Sequence, residues 1–174
     1  MIAPLLVRLS SHDRALMLRC AMSPTAPSVS RLGWTAITHL GGTIPSLAAA
    51  GLPLLACCDL HRVGELAMAS VVLSHLLVQL VKRTVGRGRP AVTCDLSTII
   101  REPDRFSFPS GHATASFSVA LAYATVFPWW SGPLLLLAAL VGFSRVRLGV
   151  HYPSDVVVGQ LLATLTMILV LALD

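Results

Sequence analysis

Apolar residues in this chain fall in long runs separated by short polar stretches, and the runs have the length a bilayer asks for. A spanning helix takes about 20 apolar residues, fewer where it is tilted or partly buried in protein. Five runs qualify, at residues 34–58, 63–81, 113–127, 133–143 and 155–173, the fourth needing to extend toward Leu148 to cross. Gly41-Gly42 and Pro45 predict a kink or a shortening in the first. Ahead of them, residues 10–22 alternate Asp13, Arg14 and Arg19 with Leu16, Met17 and Leu18, the pattern of an amphipathic helix lying on the membrane surface. The expectation is an all-α integral membrane bundle of about five to six helices with an N-terminal interfacial helix.

Composition agrees. The 174 residues are 55% hydrophobic and only 12% charged, with a mean hydropathy of +0.76, far more apolar than an average globular domain. Linkers and repeats are missing from the pattern, so residues 1–174 are expected to form one domain. A net charge of +5 would suit nucleic acid, but the basic residues lack interleaved aromatics and sit between apolar runs. Anionic lipid headgroups fit better. Cys20, Cys57, Cys58 and Cys94 have neither metal-ligand nor secreted-disulfide spacing, and Cys57 and Cys58 read as helix-packing residues. Residues 1–10 hold a short apolar run, one arginine and no small-residue cleavage site, so a cleaved signal peptide is not expected.

Three polar clusters interrupt the apolar runs. They are Lys82 with Arg89 and Pro90, then Pro109-Ser110-Gly111-His112, then Ser144-Arg145 followed by His151 and Asp155. Connectivity brings them to one membrane face. Lys82 ends the second run and the tetrad opens the third, with one loop between. The turn at Phe127-Pro128-Trp129-Trp130 then reverses the chain, and the fourth run returns to deliver Arg145 and His151. The Trp pair on the opposite side suits an interfacial anchor.

Each cluster has chemistry of its own beside a plainer use. Lys82 is a compact cation and Arg89 a planar fork able to grip two phosphate oxygens, although basic residues also flank membrane helices, and Arg83 and Arg87 read as ordinary flanking charges of that kind. Pro109-Ser110-Gly111 precedes a helix whose first-turn amides face any anion seated there, with His112 alongside; the same residues would serve as a simple helix cap. Asp155 lies four residues after His151, where a carboxylate can hold one ring nitrogen protonated and leave the other free to attack or to accept a proton. Ser154 and Asp155 also suit the start of the last helix.

Taken together, Lys82, six residues, Arg89-Pro90; Pro109-Ser110-Gly111-His112; and Ser144-Arg145, five residues, His151, three residues, Asp155 resemble the type 2 phosphatidic acid phosphatases, the lipid phosphate phosphatase superfamily. All three motifs match, over residues 82–155. The resemblance implies a metal-independent lipid phosphatase, without cofactor, working through a phosphohistidine. In that scheme His151 attacks phosphorus, Asp155 orients it, and His112 protonates the leaving group and then activates water. Lys82, Arg89, Ser110, Gly111 and Arg145 hold the phosphoryl oxygens, as charge spread over equatorial oxygens calls for.

The partners expected are the bilayer and a membrane lipid phosphate. Phosphatidic acid, phosphatidylglycerol phosphate, a polyprenyl phosphate or diphosphate and a phosphorylated glycolipid share the group these motifs bind, which does not rank them. A lipid phosphotransferase and a non-hydrolytic lipid-phosphate binder or transporter are the alternatives; the same motif also occurs in soluble vanadium-dependent haloperoxidases, against which the membrane segments argue. Location is expected in a bacterial inner membrane. On its face the positive-inside rule puts the site in the cytoplasm, because Arg8, Arg14, Arg19, Arg31, Arg83, Arg87, Arg101, Arg105 and Arg147 share its side against Arg62 opposite. Resemblance implies an extracytoplasmic site, and that is the expectation adopted, since binding anionic substrates gives the arginines another use. His75, Gln79 and Lys82 share a helical face pointing toward the site. Residues 91–107 form a polar loop suited to shape a headgroup entrance or, as a connector, to pair its own charges.

Overall fold

A computed structural model describes residues 2–23, 25–94, 99–100 and 104–174, with side chains described from residue 10 onward. The described chain is helical, in the order α1 (Ile2–Cys20), α2 (Ser28–His39), α3 (Thr43–Gly51), α4 (Cys58–Val85), α5 (Pro90–Thr93), α6 (Gly111–Val126), α7 (Ser131–Arg147) and α8 (Pro153–Leu173), with short 3-10 turns at Leu52–Leu55 and Pro128–Trp130.

The second, fourth and fifth apolar runs become α4, α7 with its preceding turn, and α8. Among the described residues these are the three helices long and apolar enough to cross a membrane. The third run becomes α6, only 16 residues long, which packs against α4, α7 and α8 at the centre of the bundle. Enclosure explains its polar content: Ser118 meets Ser74 of α4 at 3.2 Å, and Thr114 returns its hydroxyl to the Ser110 carbonyl at 2.9 Å. Outward faces carry leucine and isoleucine instead, as on α8 at Leu161, Leu165 and Ile168.

The first run breaks in two. α2 ends at His39, the chain turns through Leu40-Gly41-Gly42, and α3 starts at Thr43. Gly41 is the reason the elbow can sit where it does: a Cβ there would come within 2.6 Å of Val141 Cγ1 and 2.8 Å of the His112 carbonyl. A second close approach joins α8 to the start of α6, where a Cβ on Gly159 would meet the Ser110 carbonyl and Thr114 Oγ1 at 2.8 Å. Both glycines let the backbone beside the candidate site pack tightly.

α1 is longer than the amphipathic stretch predicted at 10–22. Met17 is fully buried against Val146 and Tyr152, whereas Leu16 and Leu18 are exposed. Cys57 and Cys58 do not pack between helices as expected; both are exposed, at the N-terminal end of α4. Trp129 and Trp130 are exposed at the turn before α7, at the end of the bundle away from the polar clusters.

Candidate active site

Three helix ends deliver the polar clusters. α4 stops where Gly86 adopts a left-handed conformation (φ 62°) and returns its amide to the Lys82 carbonyl at 3.1 Å. Lys82 therefore sits in the last turn of α4, with Arg87 and Arg89 in the extended segment that follows. α6 opens with Ser110 as N-cap, its hydroxyl accepting from the Ala113 amide at 3.5 Å. α8 opens with Pro153, and the Asp155 carboxylate turns back to accept the Tyr152 amide at 2.9 Å. A backbone bond from the Ser110 amide to the Asp155 carbonyl, 3.0 Å, ties the last two ends together.

His151 is the best-defined group. It is 1% exposed and lies between a carboxylate and a guanidinium: Nδ1 is 3.3 Å from Asp155 Oδ2, and Nε2 is 3.4 Å from Arg89 Nη1. The Asp155 carboxylate fixes the proton on Nδ1 and leaves Nε2 with its lone pair. Burial lowers the imidazole most; the hydrogen bond to Asp155 opposes it and the charges of Arg145 and Arg89 add to it, so the pKa falls to about 4. His151 is consequently an uncharged base at neutral pH.

Asp155 is wholly buried and heavily bonded. Beside His151 and the Tyr152 amide, it accepts the Ser107 hydroxyl at Oδ2 and Arg87 Nη1 at Oδ1, the latter at 2.7 Å. Arg87 continues outward, donating to Ser154 Oγ at 2.8 Å and to Asp13 Oδ2 of α1 at 2.6 Å, with its guanidinium 3.8 Å from the centre of the Tyr152 ring. Asp13 also accepts the Ser154 amide at 3.0 Å.

The anion-binding candidates surround the same space. Lys82, Gly111, His112 and His151 line one cavity of about 520 Å³, which extends between α3 and α4. Lys82 and Arg89 are both nearly buried, and Asp104 bridges them: its Oδ2 lies 2.6 Å from Lys82 Nζ and its Oδ1 2.6 Å from Arg89 Nη2. Desolvation pulls the Asp104 carboxyl upward, but hydrogen bonds and charge from Lys82 and Arg89 together outweigh it and hold the pKa below its ordinary value. Arg145 is fully buried. Its Nη1 donates to Thr38 Oγ1 of α2 at 2.8 Å, and its carbonyl accepts the Val150 and His151 amides, so it supports the turn that presents His151.

Of the eight residues singled out from the sequence, Lys82, Gly111, His112 and His151 line the cavity, Arg89, Arg145 and Asp155 bond to His151, and Ser110 precedes Gly111 as the cap of α6. Five neighbours were not singled out as site residues: Asp13, Thr38, Arg87, Asp104 and Ser107. Arg87 reads in sequence as a flanking charge, yet it pairs with Asp155. Asp104 reads as a loop charge with loop partners, yet it sits on the two cations. Asp95, Arg101 and Glu102 of that loop lie outside the described residues. Ser144 turns its hydroxyl onto its own helix, donating to the Val141 carbonyl at 2.6 Å, and takes no part in the cavity. His75 and Gln79 do line the cavity, on the face of α4 that ends at Lys82.

Residues 66–174 match the PAP2 superfamily. Over 102 residues the chain is 37% identical to a lipid A 1-phosphatase of Rhizobium etli, a match covering 56% of this chain and 44% of that protein. It is 37% identical over 150 residues to a decaprenylphosphoryl-5-phosphoribose phosphatase of Mycobacterium tuberculosis, covering 83% of this chain and 76% of the relative. Its fold superposes on the crystal structure of a transmembrane PAP2-type phosphatidylglycerolphosphate phosphatase from Bacillus subtilis with a TM-score of 0.73 and 27% identity, covering 96% of this chain and 86% of the other.

Proposed function

The chain belongs to the PAP2 superfamily, and from that premise we propose that it is an integral membrane phosphatase. Its substrate is a lipid bearing a phosphomonoester or diphosphate group, and hydrolysis passes through a phosphohistidine on His151. One observation carries the proposal: His151 holds Nε2 3.4 Å from Arg89 Nη1 and Nδ1 3.3 Å from the Asp155 carboxylate, and the cavity that His151 shares with His112 and Lys82 extends between α3 and α4.

The arrangement supports the following sequence. The phosphate enters on Lys82 and Arg89, displacing Asp104, and takes further hydrogen bonds from the Ser110 hydroxyl and the Gly111 amide at the start of α6. His151 Nε2 forms a bond to phosphorus as the bond to the leaving oxygen breaks, and protonated His112 gives that oxygen its proton. Negative charge that gathers on the equatorial oxygens is met by cations already in place, with Arg145 behind the His151 turn adding a third. His112, now neutral, takes a proton from water; the water oxygen bonds to phosphorus, the N–P bond breaks, and inorganic phosphate leaves. Asp155 neutralises the positive imidazole throughout without moving its own charge. No metal has a step in this sequence.

Phosphate release from a panel of lipid phosphates, with and without EDTA, tests the proposal. Wild-type protein is expected to release phosphate from at least one of them equally well in EDTA, and to form an acid-labile phosphoprotein on brief exposure to labelled substrate. His151→Ala is expected to lose both the label and at least a thousandfold in kcat. Activity abolished by EDTA, or retained by the variant, would overturn the mechanism.

A further inference from the structure

A lipid phosphate must leave its carrier in the bilayer while its phosphorus reaches His151, and the cavity shows the path. From Lys82 it descends between α3 and α4 past Val71, Val72 and Leu76, residues suited to hydrocarbon. Its walls are not uniformly apolar, however. His75 and Gln79 of α4 line it, their side chains 3.5 Å apart, and Ser46 of α3 lines the other wall. By helix geometry, Gln79 and His75 lie about 4.5 and 10 Å along α4 from Lys82.

Ser46 supplies an independent sign. It is 2% exposed, and its Oγ is one of the few buried side-chain polar atoms without a hydrogen-bond partner among the described residues. A buried hydroxyl left unsatisfied costs on the order of 1–3 kcal/mol, so such a group calls for a partner that arrives from elsewhere. The second cavity that Ser46 borders is lined mainly by apolar residues such as Leu40, Val119, Leu137 and Val141, and its two hydroxyl residues, Ser116 and Tyr123, donate to the Ala113 and Ala49 carbonyls rather than to Ser46. His75 and Gln79 carry a similar implication: their mutual contact at 3.5 Å uses one donor–acceptor pair, and the Gln79 amide oxygen and the other imidazole nitrogen are further polar groups at membrane depth that a polar occupant would meet.

We infer that Ser46, His75 and Gln79 form a carrier subsite, receiving hydrogen-bonding oxygens that the substrate bears within a few bonds of its phosphorus. A glycerol carrier with acyl esters, or a phosphorylated sugar, presents such oxygens. A polyprenyl chain presents only hydrocarbon there. The subsite rests on the phosphatase reading and narrows it: the lipid is a phosphorylated glycerolipid or glycolipid, and polyprenyl phosphates are disfavoured.

Binding separates the two claims, because it can be measured without turnover. The full chain carrying His151→Ala, in lipid nanodiscs, is titrated with dioleoylphosphatidic acid, a sugar-phosphate glycolipid and a polyprenyl monophosphate. The same titrations follow with Ser46→Ala, His75→Leu and Gln79→Leu combined, substitutions that suit a membrane groove and are checked by thermal midpoint. At least one oxygen-bearing lipid is expected to bind about tenfold tighter than the polyprenyl phosphate and to lose that advantage in the combined variant, while polyprenyl phosphate binding stays within twofold. Loss for phosphatidic acid alone identifies ester carbonyls as the recognised group, and loss for the glycolipid alone identifies sugar hydroxyls. Equal binding of all three lipids, or an equal loss for all three, would overturn the subsite whatever the turnover assay shows. Discrimination by the subsite in a protein that releases no phosphate would sink the phosphatase reading and leave the subsite standing.

Discussion

Asp104 lies between Lys82 and Arg89 and is ion-paired to both. Its carboxylate occupies the two cations that a phosphoryl group would need, with both contacts at 2.6 Å. Such an internal anion keeps Lys82 and Arg89 folded toward the site and satisfied while no phosphate is bound, and it competes with any phosphate that arrives. Its side chain is 43% exposed, so solvent screening keeps the interaction modest. Asp104→Asn is expected to lower KM for a lipid phosphate about three- to tenfold, roughly 1 kcal/mol of removed competition, with kcat within twofold of wild type. Steady-state kinetics on detergent-solubilised protein would check it; a raised KM would mean that Asp104 instead holds the cations in their working geometry. Neighbouring residues show why such roles escape a sequence. His151 and Asp155 are four apart and the Ser110 cap sits at the start of its own helix, so local spacing reveals them. Asp104 is 22 residues from Lys82, and Ser107 is 48 from Asp155. Serine and aspartate in a polar loop carry no mark that distinguishes a site partner from a solvated connector.

At the scale of elements, α1 is more than a surface float. Asp13 joins it to Arg87, and Arg87 joins Asp155, so a chain of charges runs from the N-terminal helix to the orienting carboxylate of His151. The amphipathic pattern located this helix but described Asp13 as part of its polar face, because a partner 74 residues away leaves no periodic signal. The broken first run has the opposite lesson. Gly41-Gly42 announced a disturbance in the sequence, yet its purpose appears only in the fold, where the elbow packs against the backbone of His112 and the side chain of Val141. Asp13→Asn keeps the shape of the residue and removes the charge that faces Arg87. The expected result is a fall in kcat of about tenfold with KM little changed, because Asp155 and His151 lose orientation while Lys82 and Arg89 keep theirs. Asp13→Glu should restore part of the loss. A variant with unchanged kcat, or one in which kcat and KM shift together with a collapse of the thermal midpoint, would show that α1 serves stability alone.

For the whole molecule, the bundle was legible because membrane helices announce themselves by length and composition, and helix ends by their caps. Which way it sits in the membrane was not legible, because charge count and family resemblance pull apart. The structure weakens the charge argument at particular residues. Arg87 is committed to Asp13 and Asp155, and Arg147 donates to the Cys20 carbonyl at 2.8 Å and lies 5.7 Å from the Trp34 ring. Arginines spent inside the protein are poor reporters of topology, since the positive-inside rule concerns charges free in the flanking loops. The fold also provides the means to decide. α4 has 28 residues and is therefore about 42 Å long, enough to cross the roughly 30 Å hydrocarbon core, with exposed Cys57 and Cys58 at one end and the Lys82 site at the other. Arg105, exposed in the loop over the site, can be changed to cysteine in a chain whose four native cysteines are serine, and compared with a chain keeping only Cys57 and Cys58. An impermeant maleimide applied to intact bacterial spheroplasts is expected to label the Arg105→Cys protein at once and the Cys57-Cys58 protein only after permeabilisation. That result places the cavity on the extracytoplasmic side, where a lipid phosphate displayed on the outer leaflet can reach it. The reverse pattern would place the site in the cytoplasm and return the arginine count to its ordinary meaning.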